Sequence, residues 1–413
     1  MKKIYRTIAI LFFSPFVFGL FFLGYMSIKY TPQYVYRTIT LLAADVYDYQ
    51  YFDNRVIQAE KNRGDQAEKQ LFKFPKKEDA SYIESLFEER VAQSGFSSFD
   101  EWADKSETTA LLVIRRDTLL YEKYFNGFSR DSYFHSQSVA KSFIGFLIGA
   151  AIDEGLIKNV TDPITEYIPE LKERDPRFEK ITLKHVLEMR SGLSYDTSFL
   201  TWLNMQSPWN DEVVGYYHPN VRKLLLEDIE IARAPGAFEY NNYNTSYLGL
   251  VIERATGKTV SRYLEEKLWS QIMEYDALFS IDSKASGFEY MPSRLIARAI
   301  DYARFGRLYL NNGVWEGKRI ISENWVQQST LENKQSYHAN DPDWIGKGCA
   351  HTYYGYQWWG SVDCEGNYQY FANGNLGQNI YLIPDKEIII VHCGNSLQHY
   401  SDSDLMRIAE KLR

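Results

Sequence analysis

HSQSVAKSFIGFLIGAAIDEGLI, residues 135–157, contains a serine and a lysine three positions apart at the head of a long apolar run. From Val139 the apolar residues recur on nearly every side of a helix, and Gly155 ends the pattern. A helix that is apolar all round belongs in the middle of a domain. Residues three apart on a helix share a face, so Ser138 and Lys141 stand side by side at the start of a buried helix. A serine hydroxyl becomes a nucleophile when a neighbouring base takes its proton. A lysine can be that base when burial keeps its amine neutral. The free N–H groups of a helix start can also stabilise an oxyanion.

Strand patterns lie on both sides of this run. TALLVIRRDTLLYEKYFNGF, residues 109–128, reads as a hairpin turning at Arg115-Arg116-Asp117, and SYIESLFEERVAQSGFSSFDEWADK before it reads as an amphipathic helix and a second short one. Residues 158–290 read mostly as helix and loop. Residues 294–313 read as one amphipathic helix, and ENWVQQST as another. YGYQWWGSV, NYQYFANG, QNIYLIP and KEIIIVHCG, between 354 and 394, read as four strands, and residues 401–413 as a closing helix capped by Ser401 or Asp402. The expected architecture is α/β: one lobe built from 78–157 and 291–413, a helical lobe from 158–290 inserted between, and a site in the cleft where they meet.

The chain has 413 residues and a net charge of −8, which argues against a nucleic-acid partner. Its start has a different character. Lys2, Lys3 and Arg6 precede residues 8–28, which carry no charge. Such a run spans roughly 30 Å as a helix, the thickness of a bilayer core. The exit, GYMSIKY, is a poor cleavage site for a signal peptide. The expectation is therefore a membrane anchor over 1–29, N-terminus in the cytoplasm, with the remainder outside. Residues 30–77 are expected as a juxtamembrane arm or linker, and 78–413 as the catalytic domain. Of the three cysteines, Cys349 and Cys364 are the better placed to pair in an oxidising compartment, and three free thiols is an equal alternative. No metal spacing occurs, and no G-x-S-x-G, H-E-x-x-H or P-loop pattern.

FHSQSVAKSFIGFLIGAAIDEGLI resembles the nucleophile region of the β-lactamase-related serine hydrolases, a superfamily of class C β-lactamases, D-alanyl-D-alanine carboxypeptidases, family VIII esterases and 6-aminohexanoate-dimer hydrolases. ITLKHVLEMRSGLSYD (181–196), PGAFEYNNYNTSYLGLVIERATG (235–257) and ARAIDYARFGRLYLNNGVWEGKRIISENWV (297–326) resemble further segments of the same family, in the same order. The resemblance covers roughly residues 80–400. It implies a β-lactamase/penicillin-binding-protein-like fold, an antiparallel sheet flanked by helices, and hydrolysis through an acyl-enzyme on Ser138 with Lys141 as base and no cofactor.

The family's Y-x-N motif falls on Tyr240 and Asn242. Tyr124–Asn126 and Tyr309–Asn311 match it too, but Pro235-Gly236 before it and the helical run after it single out Tyr240. A phenol near a lysine ammonium can have a lowered pKa and shuttle protons; the implied roles are Tyr240 as general acid/base for the leaving group, and Asn242 as a hydrogen-bonding anchor for Lys141 and the substrate. The family's third motif, K-T-G or H-x-G, best matches Ala372-Asn373-Gly374. The implied oxyanion hole is the N–H of Ser138 with that of Asn375. Ala372 stands where relatives carry a basic residue, so the cation that recognises the carboxylate of penicillins and acyl-D-alanine peptides is missing. That favours a neutral ester or amide. Two rival readings are a penicillin-binding D-alanyl-D-alanine peptidase and a membrane-tethered binding protein without turnover. His185 is expected to be structural. Trp202, Trp209, Trp344, Trp358 and Trp359 lie in segments expected to border the cleft or pack near it.

Overall fold

A computed structural model describes residues 17–412 except 18, 43, 60–70, 94, 201–204, 334–350, 363–365, 397–404, 406, 407 and 410. Strands β2 (Thr108–Arg115), β3 (Thr118–Tyr124), β7 (His351–Tyr354), β8 (Trp359–Val362), β9 (Tyr368–Gly374), β10 (Gln378–Ile383) and β11 (Ile388–Gly394) form one antiparallel sheet, in the order β7-β8-β9-β10-β11-β2-β3. The early hairpin thus completes a sheet made mostly of C-terminal strands. Its turn sits at Arg116 and Asp117, both at positive φ, which suits the tight connections whose twist matches that of the flanking strands. A second sheet of four strands runs β1 (Asn54–Ile57), β5 (Ala277–Ser280), β6 (Leu295–Ala297), β4 (Phe134–His135).

Alternation along the large sheet feeds two cores. Ala110, Leu112, Ile114, Ile380, Leu382, Ile389 and Val391 face the main core. Leu111, Val113, Phe371, Tyr381 and Ile390 face the smaller one, with Ile83, Phe87 and Trp102 from the helices before β2. The apolar run after Ser138 becomes α2 (Ala140–Asp153), buried from Ala140 through Ala151. Phe143 stacks on Phe305, ring centroids 3.9 Å apart and 17° between planes. Each such side chain withdrawn from water contributes about 1.5–3 kcal/mol. The segment 158–290 is largely helical and includes α3 (Asn242–Thr256), closed by Gly257 in the left-handed conformation.

Three expectations need revision. Residues 294–313 are not one helix: Leu295–Ala297 form β6, and the helix α4 spans Ala299–Leu310. Pairing with β4 and β5 overrides the helical periodicity there. Segment 30–77, expected as an arm or linker, contributes α1 (Pro32–Leu41) and β1 to the folded body. Tyr34, Phe52, Ile57 and Phe74 are buried in the main core. Within the apolar run 8–28, residues 19–28 are helical; Met26 is buried against the domain, while Leu20, Phe21, Tyr25 and Ile28 face outward. Among the described residues no helix is long and apolar enough to cross a membrane; residues 1–16 lie outside that description. Cys349, Cys364 and most of the expected closing helix also fall outside the described residues, and Cys393 is a buried free thiol.

α2 packs so closely that Gly149 has no room for a side chain: a Cβ there would lie 2.4 Å from the Trp325 ring. Gly149→Val is expected to destabilise the fold by about 1–3 kcal/mol through overpacking. Thermal melting checks this, with a lower Tm expected and the chemistry of Ser138, at the other end of the helix, intact.

Candidate active site

Ser138 lies in a single 3₁₀ turn, Gln137–Val139, that leads into α2. The chain enters from β4. Ser136 N–H donates to the Leu295 carbonyl at 2.8 Å, and its hydroxyl donates to the Ser293 carbonyl at 3.1 Å. Gln137 then takes φ 44°, an uncommon conformation for a residue with a side chain, and one that clusters at functional sites. The sequence shows where the helix begins, but not this turn.

Lys141 is 1% exposed. Its ammonium nitrogen lies 2.8 Å from Ser138 Oγ and 3.0 Å from the Pro292 carbonyl oxygen. The Tyr240 ring centroid is 4.9 Å from Nζ. Desolvation drives the Lys141 pKa down to about 7, and Glu212, the one opposing influence, only partly offsets it. The amine is thus half neutral near pH 7, as a general base for serine requires.

Tyr240 is within hydrogen-bonding reach of Ser138, and desolvation raises its pKa well above the ordinary value of 10. A nearby lysine ammonium would lower the phenol; the structure gives the opposite sign, because burial outweighs the bond from Ser138. Tyr240 therefore stays protonated, which suits a donor to the leaving group and not a phenolate base. Trp359 stacks on its ring at 5.5 Å, and Tyr354 meets it edge-on at 5.9 Å. Of the tryptophans expected near the cleft, Trp359 thus holds the site, Trp358 is core, Trp209 is partly exposed, and Trp202 and Trp344 lie outside the described residues.

Asn242 opens α3 and lines the same cavity as Ser138. The hydrogen bonds of Lys141 go to Ser138 and Pro292, so the expected Asn242–Lys141 bond is not formed; Asn242 Oδ1 is buried without a partner. Ala372-Asn373-Gly374 ends β9 against the nucleophile turn. A Cβ on Gly374 would lie 2.7 Å from the Ser136 carbonyl oxygen and 2.9 Å from Ser138 N. Only glycine lets the strand approach that closely. Asn375 follows in the cavity lining, beside Ser138. Ala372 is buried and offers no charge. His185 closes a capping box with Thr182 at a helix start and takes no part in the site.

The cavity measures about 820 Å³. Sequence reasoning missed the Pro292 carbonyl that holds the lysine and Tyr354 beside Tyr240, and in the cavity wall it missed Glu212 and the apolar residues from the first 44 positions. These come from segments far apart in the chain, and no local pattern marks them.

Residues 83–413 match the family model described as Beta-lactamase. The chain belongs to the β-lactamase family. It is a serine hydrolase. The 6-aminohexanoate-dimer hydrolase of Paenarthrobacter ureafaciens is 29% identical over 290 residues, 69% of this chain and 71% of that one. Among solved structures, the "Putative 6-aminohexanoate-dimer hydrolase from Bacillus anthracis" superposes with a TM-score of 0.67 at 24% identity, over 88% of this chain and 91% of that one. The octameric penicillin-binding protein homologue from Pyrococcus abyssi gives 0.58 at 19%, over 80% and 76%. These two share the fold.

Two outcomes follow from the geometry. Gly374→Ala pushes β9 off the nucleophile turn, and kcat/KM is expected to fall at least about tenfold, since small displacements at a reacting centre are costly. Tyr240→Phe removes the proton donor. Its cost is expected to reach about 10²–10⁴-fold for alkyl esters and anilides and to be much smaller for p-nitrophenyl esters, whose leaving group departs as an anion. Steady-state kinetics on matched substrates reads both.

Proposed function

We propose that the protein cleaves an ester or amide bond in a small neutral substrate through an acyl-enzyme on Ser138. The observation that carries this reading is the 2.8 Å pairing of Ser138 with a dehydrated lysine whose pKa is about 7. Lys141 takes the hydroxyl proton as Oγ bonds to the carbonyl carbon. The oxyanion faces the N–H groups of Ser138 and Asn375. The bond to the leaving group breaks, and Tyr240 supplies the proton that the departing atom needs, itself reprotonated from Lys141. Water then attacks the acyl-enzyme by the same route in reverse.

Ala372 supports a neutral substrate, because the position that carries a basic residue in relatives offers no charge here to meet a carboxylate. The unpartnered Asn242 Oδ1 would gain a bond from a substrate N–H, which keeps amides within the class. The uncharged run 8–28 after Lys2, Lys3 and Arg6 supports attachment to a bilayer with the catalytic domain on the extracytoplasmic side.

The test is hydrolysis of p-nitrophenyl acetate and butanoate, with nitrocefin in parallel and Ser138→Ala as control. Ester cleavage that vanishes in the variant, with negligible nitrocefin turnover, is expected. Rapid nitrocefin turnover would contradict the neutral-substrate reading, and ester cleavage that survives in Ser138→Ala would contradict the nucleophile.

A further inference from the structure

One wall of the catalytic cavity comes from residues 22–42 and is strongly apolar. Phe22, Leu23 and Met26 from the helical residues 19–30, with Val35, Ile39 and Leu42 from α1 and its end, line the space that Ser138 opens into. Phe199, Leu200 and Val213 add to the apolar lining. Glu212 is the only charged residue among the described lining residues, so an anionic substrate finds no complementary charge there.

This wall is fixed to the catalytic domain. The Tyr34 phenol donates to the Pro208 carbonyl. Arg37, itself buried, donates to the carbonyls of Tyr217 at 3.1 Å and Asp282 at 2.6 Å. The Phe22 ring meets Trp209 edge-on at 6.0 Å. Ile39 and Leu42 line the cavity and are also more than half exposed, which places them at its mouth. Leu20, Phe21, Tyr25 and Ile28 continue the apolar surface outside.

An acetyl group leaves most of 820 Å³ unused, whereas pockets of about 300–1,000 Å³ normally enclose most of their ligand. Among the lining residues from 22–42 only Tyr34 and Thr38 carry a polar side-chain group, and both hydroxyls already donate to backbone carbonyls of the protein, those of Pro208 and Tyr34. We propose that residues 22–42 form an acyl-chain wall, and that the substrate is a neutral ester or amide whose acyl part is a medium or long unbranched hydrocarbon chain. This deepens the hydrolase reading and rests on it. The chain lies along Phe22, Met26, Val35 and Ile39 with its carbonyl carbon at Ser138 Oγ, and it enters from the apolar mouth. Each methylene buried this way is worth about a factor of four in affinity for the transition state.

The test uses the full chain in lipid nanodiscs and p-nitrophenyl acetate, butanoate, octanoate and decanoate. The kcat/KM is expected to rise at least tenfold from acetate to octanoate. Val35→Trp fills the cavity: the rise from acetate to octanoate should vanish. Ile39→Asp, at the exposed mouth, gives the same readout should the tryptophan variant fail to fold. A separate arm titrates Ser138→Ala with methyl decanoate and methyl butanoate by calorimetry. Tighter binding of the decanoate, lost on adding Val35→Trp or Ile39→Asp, is expected. Absence of all ester cleavage would defeat the hydrolase reading, and the calorimetric arm would still decide the wall. A flat chain-length profile, equal loss on all esters in the variants, or equal binding of the two methyl esters would overturn the proposal.

Discussion

The dehydration of Lys141 is the constraint on which the rest depends. An ammonium ion with no carboxylate in contact is costly to bury, and the protein meets that cost by letting the proton go. Glu212 is the only acid that acts on it. A carboxylate bonded directly to Nζ would restore the charge and remove the base. The apolar character of α2 is what makes the site dry, since Ala140, Phe143 and Ile144 surround the lysine's own turn with hydrocarbon. The Pro292 carbonyl then orients the amine toward Ser138 without supplying an anion. The same dryness keeps Tyr240 protonated, so one physical cause separates the base from the acid: burial lowers the amine and raises the phenol.

Geometry enters through the backbone. The 3₁₀ turn at Gln137–Val139 presents Ser138 at the cavity while the helix behind it is sealed in the core. β9 closes from the other side, and Gly374 lets it come within reach of Ser138 N. A sheet built from both ends of the chain and a helical segment between them bring these parts together. β2 pairs with β11, so the early hairpin shares one sheet with β9, the strand preceding Asn375, while β4, the strand preceding the nucleophile, belongs to the four-stranded sheet.

Much of this was legible beforehand. Ser138 and Lys141 stand in one short pattern, and an all-round apolar helix has one natural place. The hairpin at 108–124 and the late strands followed from alternation and turn residues. Tyr240 could be chosen among three Y-x-N matches only through neighbouring residues and the family resemblance. Other features were not legible. The sign of the Tyr240 shift depends on burial among side chains such as Trp359 and Tyr354, neither of which is close in sequence. Residues 294–298 carried a helical period that strand pairing overrode. The segment 30–77 looked polar enough for a linker, because the few residues that tie it down, such as Tyr34, Arg37 and Ile57, are scattered among charged ones. Their partners lie some 175 to 245 positions away, and a local reading has no access to those.

The central claim is that a neutral Lys141 activates Ser138. The most direct measurement is the rate of Ser138 acylation by a fluorophosphonate, followed by intact-protein mass spectrometry from pH 5 to pH 10, on the parent chain and on Lys141→Arg. Deprotonation of the base speeds acylation, so the rate should climb tenfold per pH unit at low pH, bend near the Lys141 pKa of about 7, and then level off. Arginine, which stays charged, should abolish the bend together with the reaction. A rate still rising through pH 10, or an unchanged profile in Lys141→Arg, would contradict the account.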